Sequence, residues 1–155
     1  LKAERDALKR VLSSQADGDW PALIEAVEVD PGYENALAAA LGDDLFAALD
    51  DAAPAHWSGR NAGAAAPLPT NAAPLSDFVR APAALALRLS MIGVVEASAG
   101  AVLAASLSPG QRLVSRAGDL WRWDGFVSRA EAKTAAAIRL EQQNRLTRLE
   151  QDFTV

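Results

Sequence analysis

The sequence predicts an α+β domain with mixed sheets and flanking helices, and three observations carry that expectation. A charged, helix-favouring stretch stands at each end of the chain. Between them, short apolar runs are interrupted by proline and glycine too often for long helices. Near the end of the body, residues 113–123 read as two strands joined by a turn. The 155 residues suit one compact domain, or one built from two small lobes.

Residues 1–12 are expected to be helical, with Leu1, Leu8 and Leu12 near one face, and residues 13–19 to break that helix. Residues 23–29 alternate well enough for a strand. Asp30-Pro31 then reads as an N-cap with proline at the first helical position, opening a helix through Tyr33, Ala36, Leu37, Ala40 and Leu41 that stops at Gly42. Residues 44–49 fit either a strand or more helix. Residues 50–74 are rich in Ala, Pro, Gly and Asn and read as irregular connection, with 64–68 extended at most. Pro82 is expected to open a helix ending at Gly93, followed by a short strand at Val94-Val95 and a helix over 97–107. The hairpin pairs 113–116 with 120–123; alternation points Trp121 and Trp123 one way and Leu120, Arg122 and Asp124 the other. The last and longest helical signal covers 130–153, with Leu146, Leu149 and Phe153 along one stripe. Paired, the two terminal helices would make the root of an antiparallel coiled coil, each too short to be stable alone.

Composition narrows the function. Half the residues are hydrophobic, and no apolar run approaches membrane-spanning length. Cysteine is absent, so disulfides and thiolate metal sites are excluded, and a cytoplasmic protein is expected. The net charge of −5 is unevenly spread. Residues 1–12 carry four cations and two anions, 129–150 five and three, and 13–128 six arginines against 14 acids. Any nucleic acid should therefore meet the ends.

The chain shows no convergent catalytic set, so no catalytic residue, cofactor or metal is expected. His56 is the only histidine, sits in a Pro/Ala-rich loop and lacks triad partners. Asp43-Asp44 and Asp50-Asp51 are better read as a solvated acidic face than as cation ligands. Trp121-Arg122-Trp123 allows three readings: buried hairpin face, base-stacking platform or protein interface. Gly118 and Gly125 serve either as turn residues or as points where another backbone approaches a strand edge.

Taken in order, these segments resemble the SMC (structural maintenance of chromosomes) hinge family, specifically its bacterial members. The matching residues are Pro31-Gly32-Tyr33-Glu34-Asn35-Ala36-Leu37, Ala40-Leu41-Gly42-Asp43, Pro67-Leu68-Pro69 and Pro74-Leu75. They continue with Ala81-Pro82, Ile92-Gly93-Val94-Val95, Pro109-Gly110-Gln111-Arg112-Leu113-Val114-Ser115 and Gly118-Asp119-Leu120-Trp121-Arg122-Trp123-Asp124-Gly125-Phe126. Many hinges carry a Gly-Arg-x-x-Phe element before the Pro-Leu; here Gly59-Arg60 lies further upstream and alanines replace the aromatic.

The resemblance implies a two-lobed hinge that homodimerises and joins coiled-coil arms in a chromosome condensation and segregation protein, nucleoid-associated, whose ATPase heads lie elsewhere. It divides the chain into an N-terminal arm stub (1–15), a hinge (16–128, with lobes of about 20–75 and 76–128) and a C-terminal arm stub (129–155). The expected dimer interface is the hairpin region: Val114, Gly118, Asp119, Trp121, Trp123, Gly125 and Phe126. DNA contact at the hinge–arm junction, also implied, would fall on Lys9, Arg10, Arg129, Lys133 and Arg139. The competing reading is a small homodimeric regulatory or ligand-binding domain unrelated to SMC.

Overall fold

A computed structural model describes residues 2–15, 20–60, 65–131 and 134–153, with side chains 13–15 outside that description. The first helix, α1 (Lys2–Gln15), runs three residues past its expected end. The expected strand over 23–29 is mostly a 3₁₀ turn, Leu23–Ala26, leaving only β1 (Glu28–Val29). Leu23 and Ile24 are both fully buried, a consecutive pair that one strand face cannot supply. Glu25 fixes the turn by accepting from the Ala22 amide at 3.0 Å.

Pro31 does not open the next helix. The Tyr33 amide donates to the Asp30 carbonyl at 3.0 Å, and Gly32 has φ +96°, so Asp30 to Tyr33 form a turn with proline and glycine at its two central positions. Helix α2 (Glu34–Leu41) follows, buried at Ala36, Leu37, Ala38, Ala40 and Leu41. A 3₁₀ segment, Gly42–Phe46, continues from it, so the stretch 44–49 is divided: its start is helical, and Ala48 makes β-bridges to Ala22 and His56.

Among the described residues, turns and bends over 49–60 and 65–72 precede β2 (Ala73–Pro74), then β3 (Val79–Arg80), which pairs antiparallel with β1. The helix expected from Pro82 to Gly93 is shorter: a 3₁₀ turn, then α3 (Ala86–Ser90). Ile92 and Gly93 belong instead to β4 (Ile92–Val94), buried at all three positions. A strand covered on both faces is continuously apolar and imitates a helix end in sequence. Helix α4 (Gly100–Ala104) is likewise shorter than expected, preceded by a 3₁₀ turn. Then come β5 (Arg112–Val114), β6 (Leu120–Arg122), β7 (Val127–Ser128) and α5 (Ala135–Phe153).

The main sheet has the order β2-β4-β5-β6-β7, with β4 and β5 parallel and the other neighbours antiparallel, so it is mixed. One apolar cluster lies on its α2–α5 side and draws residues from both sides of position 75, from Leu23 through Leu75 to Leu140. A smaller one, Val95, Leu113 and Trp121, is closed by Leu103, Ala104 and Leu107 around α4. Gly100 allows that closure, because a Cβ there would overlap the Trp121 ring.

Helix α5 starts with Thr134 as its cap, the hydroxyl accepting from the Ala137 amide at 3.1 Å. Ala136, Ala137 and Leu140 then bury its first turns. Beyond them Gln143 donates to the Ile24 carbonyl at 3.1 Å, and Asn144 to the Val29 carbonyl at 3.0 Å and to Glu34 Oε2 at 2.8 Å. Asn144→Ala strips a donor from two acceptors at once. It should cost about 1–3 kcal/mol in urea unfolding, and an unchanged midpoint would show that water replaces the amide without loss. Helix α1 lies on α5 through a Lys9–Glu150 ion pair at 3.3 Å, an Arg145–Glu4 pair and the Arg5 guanidinium 4.9 Å above the Phe153 ring.

Candidate self-association surface

The hairpin expected from the sequence is present, but it is followed by a third strand. Leu113 pairs with Trp121 across β5 and β6, and Trp121 with Val127 across β6 and β7. β7 ends the sheet, and both its residues are exposed. The Arg122 amide donates to the Phe126 carbonyl at 2.9 Å. Since backbone groups alternate along a strand, Phe126 and Ser128 face β6, and the Val127 N–H and C=O face the open side.

The two tryptophans part company. β6 ends at Arg122, but the Trp123 amide still donates to the Gln111 carbonyl at 3.1 Å, one step further along the β5 register. The turn comes next, closed by the Gly125 amide on the Arg122 carbonyl at 3.1 Å. Trp121 is 3% exposed in the smaller core, whereas Trp123 is 49% exposed. The two tryptophans differ in cover: Val95, Leu113 and Leu103 pack around Trp121, and Trp123 lies at the end of the strand outside that cluster. Phe126 and Val127 join Trp123 at 48% and 51% exposure, giving three large apolar side chains beside an open strand edge.

Other expected interface residues are placed inside the chain. Val114 is fully buried between β4 and β6 and, like Trp121, builds core, so neither side chain is available to a partner. At Gly118 a Cβ would meet Asn35 of α2 at 3.5 Å, so this glycine faces its own chain, while Gly125 faces open space. Asp119 is 6% exposed. Its Oδ2 accepts from the Ser115 hydroxyl at 2.6 Å, and its Oδ1 from the Ala130 amide at 2.9 Å and Arg129 Nε at 3.3 Å. Val127 was missed in the sequence reading; the Asp124-Gly125 turn followed by Phe126-Val127 was the signal for a third strand.

The Ser115 hydroxyl, and next the Ala130 amide, hold the Asp119 carboxyl below the usual carboxylate range. A depressed folded-state value means the stabilising contribution is complete above the unfolded pKa of about 3.9 and disappears as pH falls through the lower folded value. The stability gap between wild type and Asp119→Asn should therefore hold from pH 7 down to about 5 and close below about pH 4. Denaturation midpoints across that range check it; a gap independent of pH would contradict the assignment.

Arg122 is committed locally, with Nη2 2.9 Å from Asp124 Oδ2 and its guanidinium 4.4 Å over the Phe126 ring. That occupancy, with an acid attached, disfavours the base-stacking reading of the Trp-Arg-Trp element. His56 binds the Ala53 carbonyl through Nδ1 at 2.8 Å. Of the acidic pairs, Asp44 meets Arg88 at 3.2 Å and Asp50 accepts from the Ala52 amide at 2.9 Å. No helix among the described residues is long and apolar enough to cross a membrane.

Residues 16–105 match the family described as SMC proteins Flexible Hinge Domain. The chain is 43% identical over 154 residues, 99% of its length, to the chromosome partition protein Smc of Rhodopseudomonas palustris. The chain belongs to the SMC hinge family. A second Smc, from Cereibacter sphaeroides, is 48% identical over 152 residues, 95% of the chain. The hinge spans only 13% of the length of either relative. Its fold matches an SMC hinge from Geobacillus stearothermophilus, solved as an asymmetric dimer, with a TM-score of 0.66 at 18% identity, covering 97% of this chain and 80% of that one. Family membership sets aside the reading of a regulatory domain unrelated to SMC.

The expected DNA-contact residues are unequally placed in the hinge. Lys9 and Arg10 are exposed on α1, with Lys9 paired to Glu150. Arg129 is exposed but spans to Asp119. Arg139 is only 6% exposed, with Nε donating to Gln143 at 3.0 Å, so it is a packed side chain and not a surface cation. Lys133 lies outside the described residues.

Proposed function

We propose that this chain is the homodimerising hinge of a bacterial chromosome partition Smc, with α1 and α5 as the roots of its antiparallel coiled-coil arm. The observation that carries the reading is the open β7 edge flanked by Trp123, Phe126 and Val127, in a member of a family with a hinge solved as a dimer. In this reading residues 1–15 and 129–155 are arm stubs around a hinge of 16–128, with lobes of about 20–75 and 76–128. The chain performs no catalysis; ATP hydrolysis belongs to parent head domains outside it. Its place is the cytoplasm, on the nucleoid.

Strand addition along β7 supplies main-chain hydrogen bonds, and the aromatic side chains beside it supply the buried anchor. DNA contact, if the parent makes it here, falls on Lys9, Arg10 and Arg129. Such binding would be weak and would fall steeply with salt. The functional test places Trp123→Asp/Phe126→Asp in the full-length parent Smc. Failed chromosome partition with normal protein levels supports the hinge reading; normal partition with a monomeric variant hinge sinks it.

A further inference from the structure

We infer that Asp119 is a positioning residue for the β7 edge: buried inside its own chain, it fixes the strand to which a second copy binds. The inference rests on the self-association reading above. β7 is only two residues long, and so short an edge strand has little ladder of its own to hold it. Past Ser128 the chain is exposed and approaches the body where Ala130 comes near Gly118. It forms one wall of an open pocket of about 360 Å³, whose other walls include Asn35, Ala38 and Ala39 of α2, Gly118 and Ala137 of α5. Packing from below therefore does little to set the height or tilt of that segment.

The Asp119 carboxylate does so instead. Its Oδ1 accepts from the Ala130 amide at 2.9 Å, two residues past the end of β7. Its Oδ2 accepts from the Ser115 hydroxyl at 2.6 Å, and that hydroxyl oxygen accepts in turn from the Asp119 amide at 3.0 Å. Ser115 is 2% exposed and directly follows the central strand β5. The line from β5 through Ser115 and Asp119 to Ala130 thus ties the edge to the middle of the sheet. Charge-assisted bonds of this kind are short and directional, and a buried carboxylate stays only where such donors satisfy it. An edge held in place before it meets a partner loses less freedom on pairing, which strengthens association without any contact between Asp119 and the partner.

Amide hydrogen exchange, together with the dimer dissociation constant, tests this on the full chain. In wild type the Ala130 amide should be protected; exchange at the random-coil rate would overturn the inference without any variant. Asp119→Ala should speed exchange at Ser128 and Ala130 and weaken association by about 10-fold or more, with Leu113 and Val114 still protected. Asp119→Asn, which can still accept from Ala130, should recover association to within about 3-fold of wild type. Asn144→Ala serves as the control for a merely structural role: it destabilises the chain away from β7 and should leave association unchanged. Unaltered exchange in Asp119→Ala, or looser exchange with unaltered association, overturns the inference. A wild type that never dimerises overturns the self-association reading instead, and the exchange data still report whether Asp119 holds the edge.

Discussion

The double variant Trp123→Asp/Phe126→Asp is expected to be a folded monomer at concentrations where the wild type is a dimer. Both side chains are about half exposed, so charging them should leave the core alone and change unfolding free energy by no more than about 0.5 kcal/mol. At an interface the same groups are large apolar anchors. Losing an aromatic anchor typically costs about 2 kcal/mol or more, roughly 30-fold in dissociation constant, so losing two weakens association on the order of 1,000-fold. Two carboxylates forced against a partner strand add desolvation to that loss. Val127→Pro probes the same edge differently: it removes an N–H that faces away from β6, so the sheet keeps its own ladder while strand addition loses a donor. Sedimentation or light scattering reads the mass, and circular dichroism confirms the fold. A variant still dimeric at wild-type affinity would place the interface elsewhere.

Trp121→Ala is expected to do the reverse. Its ring is packed against Gly100, Leu113 and Val95 under α4, and truncation leaves a cavity in a small cluster with few ways to collapse. The expected cost is about 3–5 kcal/mol in denaturant unfolding, a large share of the total stability of a domain this size. Trp123→Ala, two residues away, should stay within about 0.5 kcal/mol of wild type in the same assay. Comparable losses for the two would mean that Trp123 is also packed within the chain, and the proposed surface would lose its main anchor.

That contrast shows where the sequence was readable. The hairpin was legible because its turn residues and alternating apolar residues agree, and the terminal helices because helix-favouring residues run unbroken for several turns. The partition of Trp121 from Trp123 was not legible. It depends on how far the cover from Val95 and the α4 segment reaches along the sheet, which no local pattern announces. Leu23-Ile24 and Ile92-Gly93 misled for a related reason. Full burial on both sides erases the period that separates strand, turn and helix. Asp30-Pro31 read as a helix start, but the β1–β3 pairing that draws Asp30 to Phe78 makes the segment a tight turn instead. Of the residues expected at the candidate surface, the structure leaves Gly125 and Phe126 exposed, whereas Val114 and Asp119, drawn in with the hairpin, are buried by tertiary packing.

Self-association is the central claim, and the solution mass of the wild-type chain by light scattering across a dilution series tests it most directly. The account predicts a dimer of about twice the 16.3 kDa chain mass, dissociating only on dilution. A monomer at every concentration up to the solubility limit would contradict it.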